Sequence, residues 1–179
     1  MITFQKIRWK NFLSTGDHWS EIDFLGHTTN LVVGTNGSGK STMLDALTFS
    51  LFNKPFRKIN KSQLINATNE KDCVVEVEFT VNNKDYLVRR SIKPNKFDIE
   101  VNGTLLHKES DDRLNQKILE ESILKVNYKS FTQIVILGSS SFVPFMQLST
   151  SNRRDVIEDL LDIRIFSAMN TLIKEKIRT

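Results

Sequence analysis

The sequence predicts an α/β fold with a phosphate-binding loop set between a strand and a helix. Three observations carry that prediction. The stretch LVVGTNGSGKSTMLDALTFSLF, residues 31–52, runs from apolar residues through a glycine-rich turn into apolar residues at helical spacing. The stretch CVVEVEFTV, residues 73–81, sets Val75, Val77, Phe79 and Val81 against Glu76, Glu78 and Thr80, which is the period of a half-buried strand. From Ser151 onward no Gly or Pro interrupts a helical pattern.

Taken in order, Ile2 and Phe4 alternate with polar neighbours, and Ile7 and Trp9 continue the alternation with a slip in phase, so a strand is predicted. NFLSTGDHW reads as a turn, and EIDF as a short strand. TTNLVV reads as another, apolar on both faces and so expected in the middle of a sheet. Met43, Leu44, Leu47, Leu51 and Phe52 predict a buried helix. NNKDYLVRRSI is the return strand after CVVEVEFTV, over an Asn82-Asn83 turn, and KFDIEVNGTLL adds a small hairpin turning at Asn102-Gly103. Residues 110–125 have helical spacing at Leu114, Ile118 and Ser122, whereas SFTQIVIL predicts a strand broken by GSSS. Leu161, Ile165, Ala168 and Leu172 then space a helix whose last part suits a coiled coil.

Composition narrows the class. With 179 residues and 39% hydrophobic content, the chain suffices for one domain with a sizeable core. A single cysteine, Cys73, excludes an internal disulfide framework and a cysteine metal cluster. The opening MITFQKIRWK lacks the apolar core of a signal peptide, and no apolar run approaches the roughly 20 residues of a membrane span, so a soluble cytoplasmic protein is expected. Net charge is +4, and the excess is local. Lys54, Arg57, Lys58 and Lys61 in KPFRKINK, and the run RRSIKPNK at 89–96, contain no acid. Two readings stay open for them: solvated loops and edges, or contacts to nucleic-acid phosphates.

Gly34-Thr35-Asn36-Gly37-Ser38-Gly39-Lys40-Ser41 fits G-x-x-x-x-G-K-[ST] in full. Glycines let the backbone approach phosphate oxygens, and the following helix adds unsatisfied N–H groups and its dipole. In this pattern Lys40 bridges the β- and γ-phosphates and stabilises their charge, the Ser41 hydroxyl ligates Mg²⁺, and Thr42 donates to the α-phosphate. ATP and Mg²⁺ are therefore the expected cofactors. Hydrolysis also needs a second acid for the metal and a group that positions water. An apolar strand ending in Asp or Asp-Glu (the Walker B motif) would supply it. VVEVEF has its acids inside the alternation, and VIEDLLD lies inside a helical pattern. No complete catalytic set is present; the sequence reads as half an active site.

Loop, flanks and missing half together resemble the N-terminal segment of the SMC-like ATPases that work with DNA-repair nucleases. That family has a bacterial SbcC-type branch and a T-even phage branch that serves a recombination exonuclease. KNFLSTGD and NLVVGTNGSGKSTMLDALTFSLF carry the generic part of the resemblance. KPFRKINKSQLINATN, IKPNKFDIEVNGT, FTQIVILG and PFMQLSTSNRRDVIEDLLDI carry the specific part, and are similar to the phage branch. The resemblance implies the N-terminal lobe of an ABC-type head, with a mixed sheet and antiparallel hairpins, over residues 1–150, and a helix leading into a coiled coil over 151–179. It implies that the Walker B motif, the signature serine loop and the switch histidine lie in a C-terminal lobe of the same ATPase. It further implies ATP sandwiched between two heads, a partner nuclease subunit, double-stranded DNA as substrate and no membrane partner. For a phage-encoded member the location is the host cytoplasm.

Residue by residue, Asn36, Gly37, Ser38, Gly39, Lys40, Ser41 and Thr42 match the family loop. Asn66 and Thr68 match a segment that approaches the nucleotide, and Leu13 stands where the family often has Arg. Ungapped alignment puts Ser139 at the position of the glutamine that helps hold Mg²⁺, with Gln133 a weaker candidate inside the predicted strand. Lys54, Arg57, Lys58 and Lys61 are the expected DNA contacts. His18, His27 and His107 are read as surface residues, Trp9 and Trp19 as packing residues, and Glu158, Asp159 and Asp162 as a solvated helix face; Arg153 and Arg154 stay ambiguous. The rival functions are a transporter-type ABC subunit, a self-contained P-loop kinase and a chain that only binds nucleotide.

Overall fold

In the computed structural model, β1 (Ile2–Lys10), β2 (Ser20–Asp23), β3 (Cys73–Val81), β4 (Lys84–Ile92), β5 (Lys96–Val101) and β6 (Thr104–Leu105) form one sheet. Their order is β2-β1-β3-β4-β5-β6, and every pairing among them is antiparallel. The structure describes residues 2–106, 111–136, 143–161 and 163–178. It divides into two units, Met1–Leu119 and Glu120–Thr179.

The first unit is the sheet with α1 (Thr42–Phe52) packed on β3 and β4. The alternation in β3 is observed as predicted, with Val75, Val77 and Phe79 fully buried. The phase slip in β1 is a register shift between Phe4 and Lys6, which returns Ile7 and Trp9 to the core face opposite Val77 and Val75. Asn82, Asn83, Asn102 and Gly103 all take positive φ at the two hairpin turns, a conformation Asn and Gly tolerate best. On the other face one row crosses the sheet as Glu21, Arg8, Glu76, Arg89 and Asp98, alternating in sign. Arg8 and Arg89 both donate to the buried Glu76 carboxylate.

Beneath α1 lies Arg90, 4% exposed, whose Nε donates to the Ser50 carbonyl at 3.0 Å. Its guanidinium stacks on Phe97 with 3.6 Å to the ring centroid, and Nη2 donates to Gln116 Oε1 at 2.6 Å. Gln116 lies in α2 (Asp112–Lys117), capped by Asp111, and donates to the Leu51 carbonyl at 2.9 Å. Residues 118–124 continue α2 as wider π-helical turns. Of the 89–96 run, Arg90 is therefore buried inside the fold, and Arg89 is paired with Glu76 on the part-exposed face of the sheet.

Several expectations are corrected. TTNLVV is not a strand: Leu31 is 87% and Val33 80% exposed, because no strand among the described residues lies beside them to pair. Residues 130–136 of SFTQIVIL are not a strand either; Tyr128–Ile134 is a helix, α3. Asn127 starts it by accepting the Ser130 N–H at 2.9 Å, and a cap of that kind commits the following apolar run to helical spacing. Trp19 is 42% exposed, lying against the Arg8 guanidinium and the Lys10 ammonium instead of in the core.

In the second unit α3 packs on α4 (Thr150–Leu160). Lys129 joins Asn152 at 2.7 Å and Asp155 at 3.0 Å. Asp159, expected on a solvated face, is buried and accepts the Asn127 N–H at 3.1 Å. The C-terminal stretch holds two helices, α4, which ends at Leu160, and α5 (Arg164–Arg178). Along α5, Ile165, Met169, Leu172, Ile173 and Ile177 are all exposed. No helix among the described residues is long and apolar enough to cross a membrane.

Candidate nucleotide-binding site

A cleft of about 540 Å³ opens where the glycine loop meets α1. Asn36, Gly37, Gly39, Lys40, Ser41 and Thr42 form one wall, Leu13, Ser14, Ile65 and Ala67 line another, and Arg57 and Gln63 complete it. Gly37 has φ +87° and Gly39 φ +90°, a region closed to most side chains. A Cβ at Gly34 would meet the Ser38 hydroxyl, which would have to turn away to admit it.

Within 36–41 only the Ser38 N–H is used, donating to the Thr35 carbonyl at 3.2 Å; the N–H groups of Asn36, Gly37, Gly39, Lys40 and Ser41 have no partner among the described residues. The five residues line the cleft, and unpaired amides at the start of a helix suit the phosphates of a nucleotide. Lys40 Nζ donates to the Gly34 and Thr35 carbonyls at 2.6 and 2.7 Å, holding the ammonium at the loop. Ser41 is exposed and lines the cleft, so its hydroxyl is accessible as one oxygen ligand of a magnesium ion whose other ligands are phosphate oxygens and water. No carboxylate lines the cleft, and the described residues contain no group of three or more His, Cys, Asp or Glu able to hold a metal.

The second wall is built by joining two loops. Asn11 and Leu13 adopt positive φ, Leu13 N–H donates to the Leu64 carbonyl at 2.7 Å, and Asn66 N–H donates to the Asn11 carbonyl at 2.9 Å. The Asn66 side chain donates to the Leu13 carbonyl at 3.1 Å and accepts the Thr68 and Asn69 N–H groups, each at 3.0 Å. Asn66 is thus buried behind the wall, Thr68 is exposed away from the lining, and their neighbours Ile65 and Ala67 face the cleft.

The four cations of the first basic run occupy different surroundings. Lys54 and Lys58 are exposed. Arg57 is held by Asp45: its backbone N–H donates to Oδ1 at 2.9 Å, and its Nε and Nη2 reach Oδ2 at 2.6 and 2.5 Å. Lys61 Nζ lies 5.9 Å from the Phe49 ring centroid and 3.3 Å from Asn95 Oδ1, and its pKa is lowered by burial and by Arg90 nearby. Gln133 lies in α3 with its Oε1 buried and unpartnered; Ser139 lies outside the described residues. His18 and His27 are exposed as expected, and His107 and Asp162 lie outside the described residues. Arg153 Nη1 donates to the Met146 carbonyl at 3.0 Å.

Sequence reasoning picked out Leu13 and the loop around Asn66, Ala67 and Thr68, and missed Asp45, Gln63, Ser14 and Ile65. Asp45 had a legible signal: an acid one turn after Ser41, inside an apolar-periodic helix, is buried and so requires a cation.

The resemblance read from the sequence agrees with comparison to known proteins. The chain is 43% identical over 169 residues to exonuclease subunit 2 of Enterobacteria phage T4, covering 94% of this chain and 30% of that protein. It is 32% identical over 164 residues to the DNA double-strand break repair Rad50 ATPase of Methanococcus maripaludis, covering 89% of this chain and 16% of that protein. The chain thus spans less than a third of the length of either relative. A solved structure from work on the ATP-driven dimerization and DNA-stimulated activation of SMC ATPases superposes with a TM-score of 0.58 at 22% identity, covering 88% of this chain and 99% of that one, and shows the shared α/β fold. A family model for an AAA domain matches residues 6–178, nearly the whole length, and the chain belongs to that AAA domain family.

Proposed function

We propose that this chain is the ATP-binding lobe of an SMC-like ATPase head that works with a partner nuclease on double-stranded DNA ends in recombination and repair. The observation that carries the reading is the cleft itself: five residues with unpaired amides, Lys40 and Ser41 among them, line a space that no carboxylate lines among the described residues. Asn36, Gly37, Ser38, Gly39, Lys40, Ser41 and Thr42 hold the phosphates, and Ser41 holds Mg²⁺ together with Ser139 or, less favourably, Gln133. Asn66 and Thr68 keep the opposite wall in shape. A bound ATP supplies the scissile β–γ phosphoanhydride; this chain contributes grip and charge neutralisation, and the acid and water-positioning group come from the C-terminal lobe.

The exposed Leu31 and Val33 support the same division of labour, since an apolar run leading into a phosphate loop gains a neighbour when a second lobe extends the sheet. Residues 1–150 are the lobe, and 151–179 lead into a coiled coil, in keeping with the exposed apolar spacing of α5. Lys54, Arg57, Lys58 and Lys61 are the DNA contacts to test; the first three are exposed, Arg57 also pairs with Asp45, and Lys61 with Asn95. The complete protein is read as acting in the cytoplasm.

ATP turnover measured on the chain alone, and after addition of the separately expressed C-terminal lobe, tests the reading. The chain alone is expected to bind ATP and turn over negligibly, and turnover is expected to appear with the second lobe and rise with DNA and the nuclease. Turnover by the chain alone that disappears in Lys40→Ala would support a self-contained kinase or hydrolase instead.

A further inference from the structure

Gln63 stands in the 3₁₀ turn Lys61–Leu64, is exposed and lines the cleft. The turn belongs to the apolar side of the cleft: the Leu64 carbonyl accepts the Leu13 N–H at 2.7 Å, and Ile65 follows as part of that wall. Gln63 and Asn60 close a ring at the start of the turn. The Gln63 N–H donates to the Asn60 carbonyl and the Asn60 N–H donates to Gln63 Oε1, each at 2.9 Å. This pairing sets which way round the side-chain amide lies. A backbone N–H needs an acceptor and an amide nitrogen offers none, so Oε1 is committed and the NH₂ group is the free end. Nε2 has no hydrogen-bond partner among the described residues.

We propose that Gln63 is a specificity residue that donates from Nε2 to the nucleoside half of a bound nucleotide, at a ring nitrogen of the base or at the ribose 2′-hydroxyl oxygen. This rests on reading the cleft as a nucleotide site and gives its apolar wall a polar group that selects the ligand. Leu13, Ile65 and Ala67 can bury the face of a flat ring but cannot fix its edge, because their side chains carry no donor or acceptor. An amide that can only donate favours a ligand with an acceptor at that point and disfavours one with an N–H there. A turn-closing role alone would need Oε1 and leave Nε2 idle. The two roles therefore part at the nitrogen.

Titration calorimetry of the full chain with ATP, 2′-deoxy-ATP and inorganic tripolyphosphate separates them, with circular dichroism confirming that each variant is folded. Gln63→Glu keeps the oxygen that accepts the Asn60 N–H and replaces only the donor. It is expected to weaken ATP about fivefold more than tripolyphosphate, whose loss measures charge repulsion alone. Gln63→Met adds no charge, and is expected to weaken ATP about fivefold and leave tripolyphosphate unchanged. Wild-type ATP affinity in Gln63→Met, or equal losses for ATP and tripolyphosphate in either variant, overturns the proposal. 2′-Deoxy-ATP distinguishes the acceptors: a Gln63→Met loss that vanishes for it assigns the ribose hydroxyl, and one that persists assigns the base. Lys40→Ala tests the underlying reading separately. If it binds ATP and tripolyphosphate as wild type does, the cleft is no nucleotide site, whereas loss there with wild-type ATP binding in Gln63→Met sinks only the present proposal.

Discussion

Arg90 donates from Nε to the Ser50 carbonyl across 3.0 Å and so caps the last turn of the helix that begins at the phosphate loop. A cation at that end also complements the helix dipole, and the stacking on Phe97 fixes the guanidinium in place. Arg90→Met keeps most of the apolar stem but leaves the Ser50 carbonyl and Gln116 Oε1 without this donor. Unfolding by urea is expected to show a loss of about 2–4 kcal/mol, the range for breaking a buried hydrogen-bonded charge. A loss under about 0.5 kcal/mol would mean that water replaces the guanidinium freely.

Glu76 offers a second stability test. Its carboxylate is buried between Arg8 and Arg89, and its hydrogen bond to Arg89 is the largest cause raising that guanidinium's pKa. Both arginines are about one-third exposed and can regain water, so Glu76→Gln is expected to cost about 1–2 kcal/mol, below the full cost of orphaning a buried ion. The same denaturation experiment checks it. Wild type and variant should also converge little at high salt, because the carboxylate itself is shielded from solvent.

Asn66 joins the two loops of the cleft wall through three side-chain hydrogen bonds. Asn66→Ala is expected to destabilise the chain by about 1–3 kcal/mol and to weaken nucleotide binding, since Ile65 and Ala67 then lose their fixed backbone. Thr68→Ala removes only an exposed side chain and should leave stability within about 0.5 kcal/mol. Parallel melting and binding curves for the two variants check the contrast.

Leu31→Ser and Val33→Ser probe the exposed apolar run. Each side chain is at least 80% exposed, so neither change should lower the stability of the isolated chain measurably. Association with the separately expressed C-terminal lobe, followed by sedimentation, is expected to weaken by about 1–3 kcal/mol per site as lost apolar burial. Unchanged association would remove this run from the interface.

Cys73 supplies a pH signature. Burial pushes its thiol up to about 12, far above the roughly 8.5 of an exposed cysteine. Between those values the unfolded chain releases a proton that the folded chain keeps, so this group's contribution is fully present below about 8.5 and declines as pH rises toward 12. The difference in stability between wild type and Cys73→Val is therefore expected to shift in favour of the variant from pH 8 to pH 10.5. Native wild type at pH 8 should also resist alkylation by iodoacetamide until denaturant is added.

Much of the fold was legible because it repeats at short range. The alternation of Val75, Val77 and Phe79, the phase slip between Phe4 and Lys6, and the Asn82-Asn83 and Asn102-Gly103 turns each reflect the conformation of a few consecutive residues. The phosphate loop is of the same kind: eight adjacent residues specify its curvature, and Gly37 and Gly39 take the positive φ their positions require.

What only the tertiary structure decided depends on partners distant in sequence. What each arginine meets was one such matter: Arg57 is held by Asp45, and Arg90 donates to the Ser50 carbonyl. The roles of Asn66 and Asp159 were another, since each is fixed by hydrogen bonds to a separate loop. LVV has the composition of a central strand yet forms none, because a strand exists only through hydrogen bonds to a neighbour and none lies beside it among the described residues. SFTQI became a helix once Asn127 capped it. Periodicity is a property of one segment and can be read from it; pairing, burial of charge and the far wall of a cleft belong to segments brought together by folding.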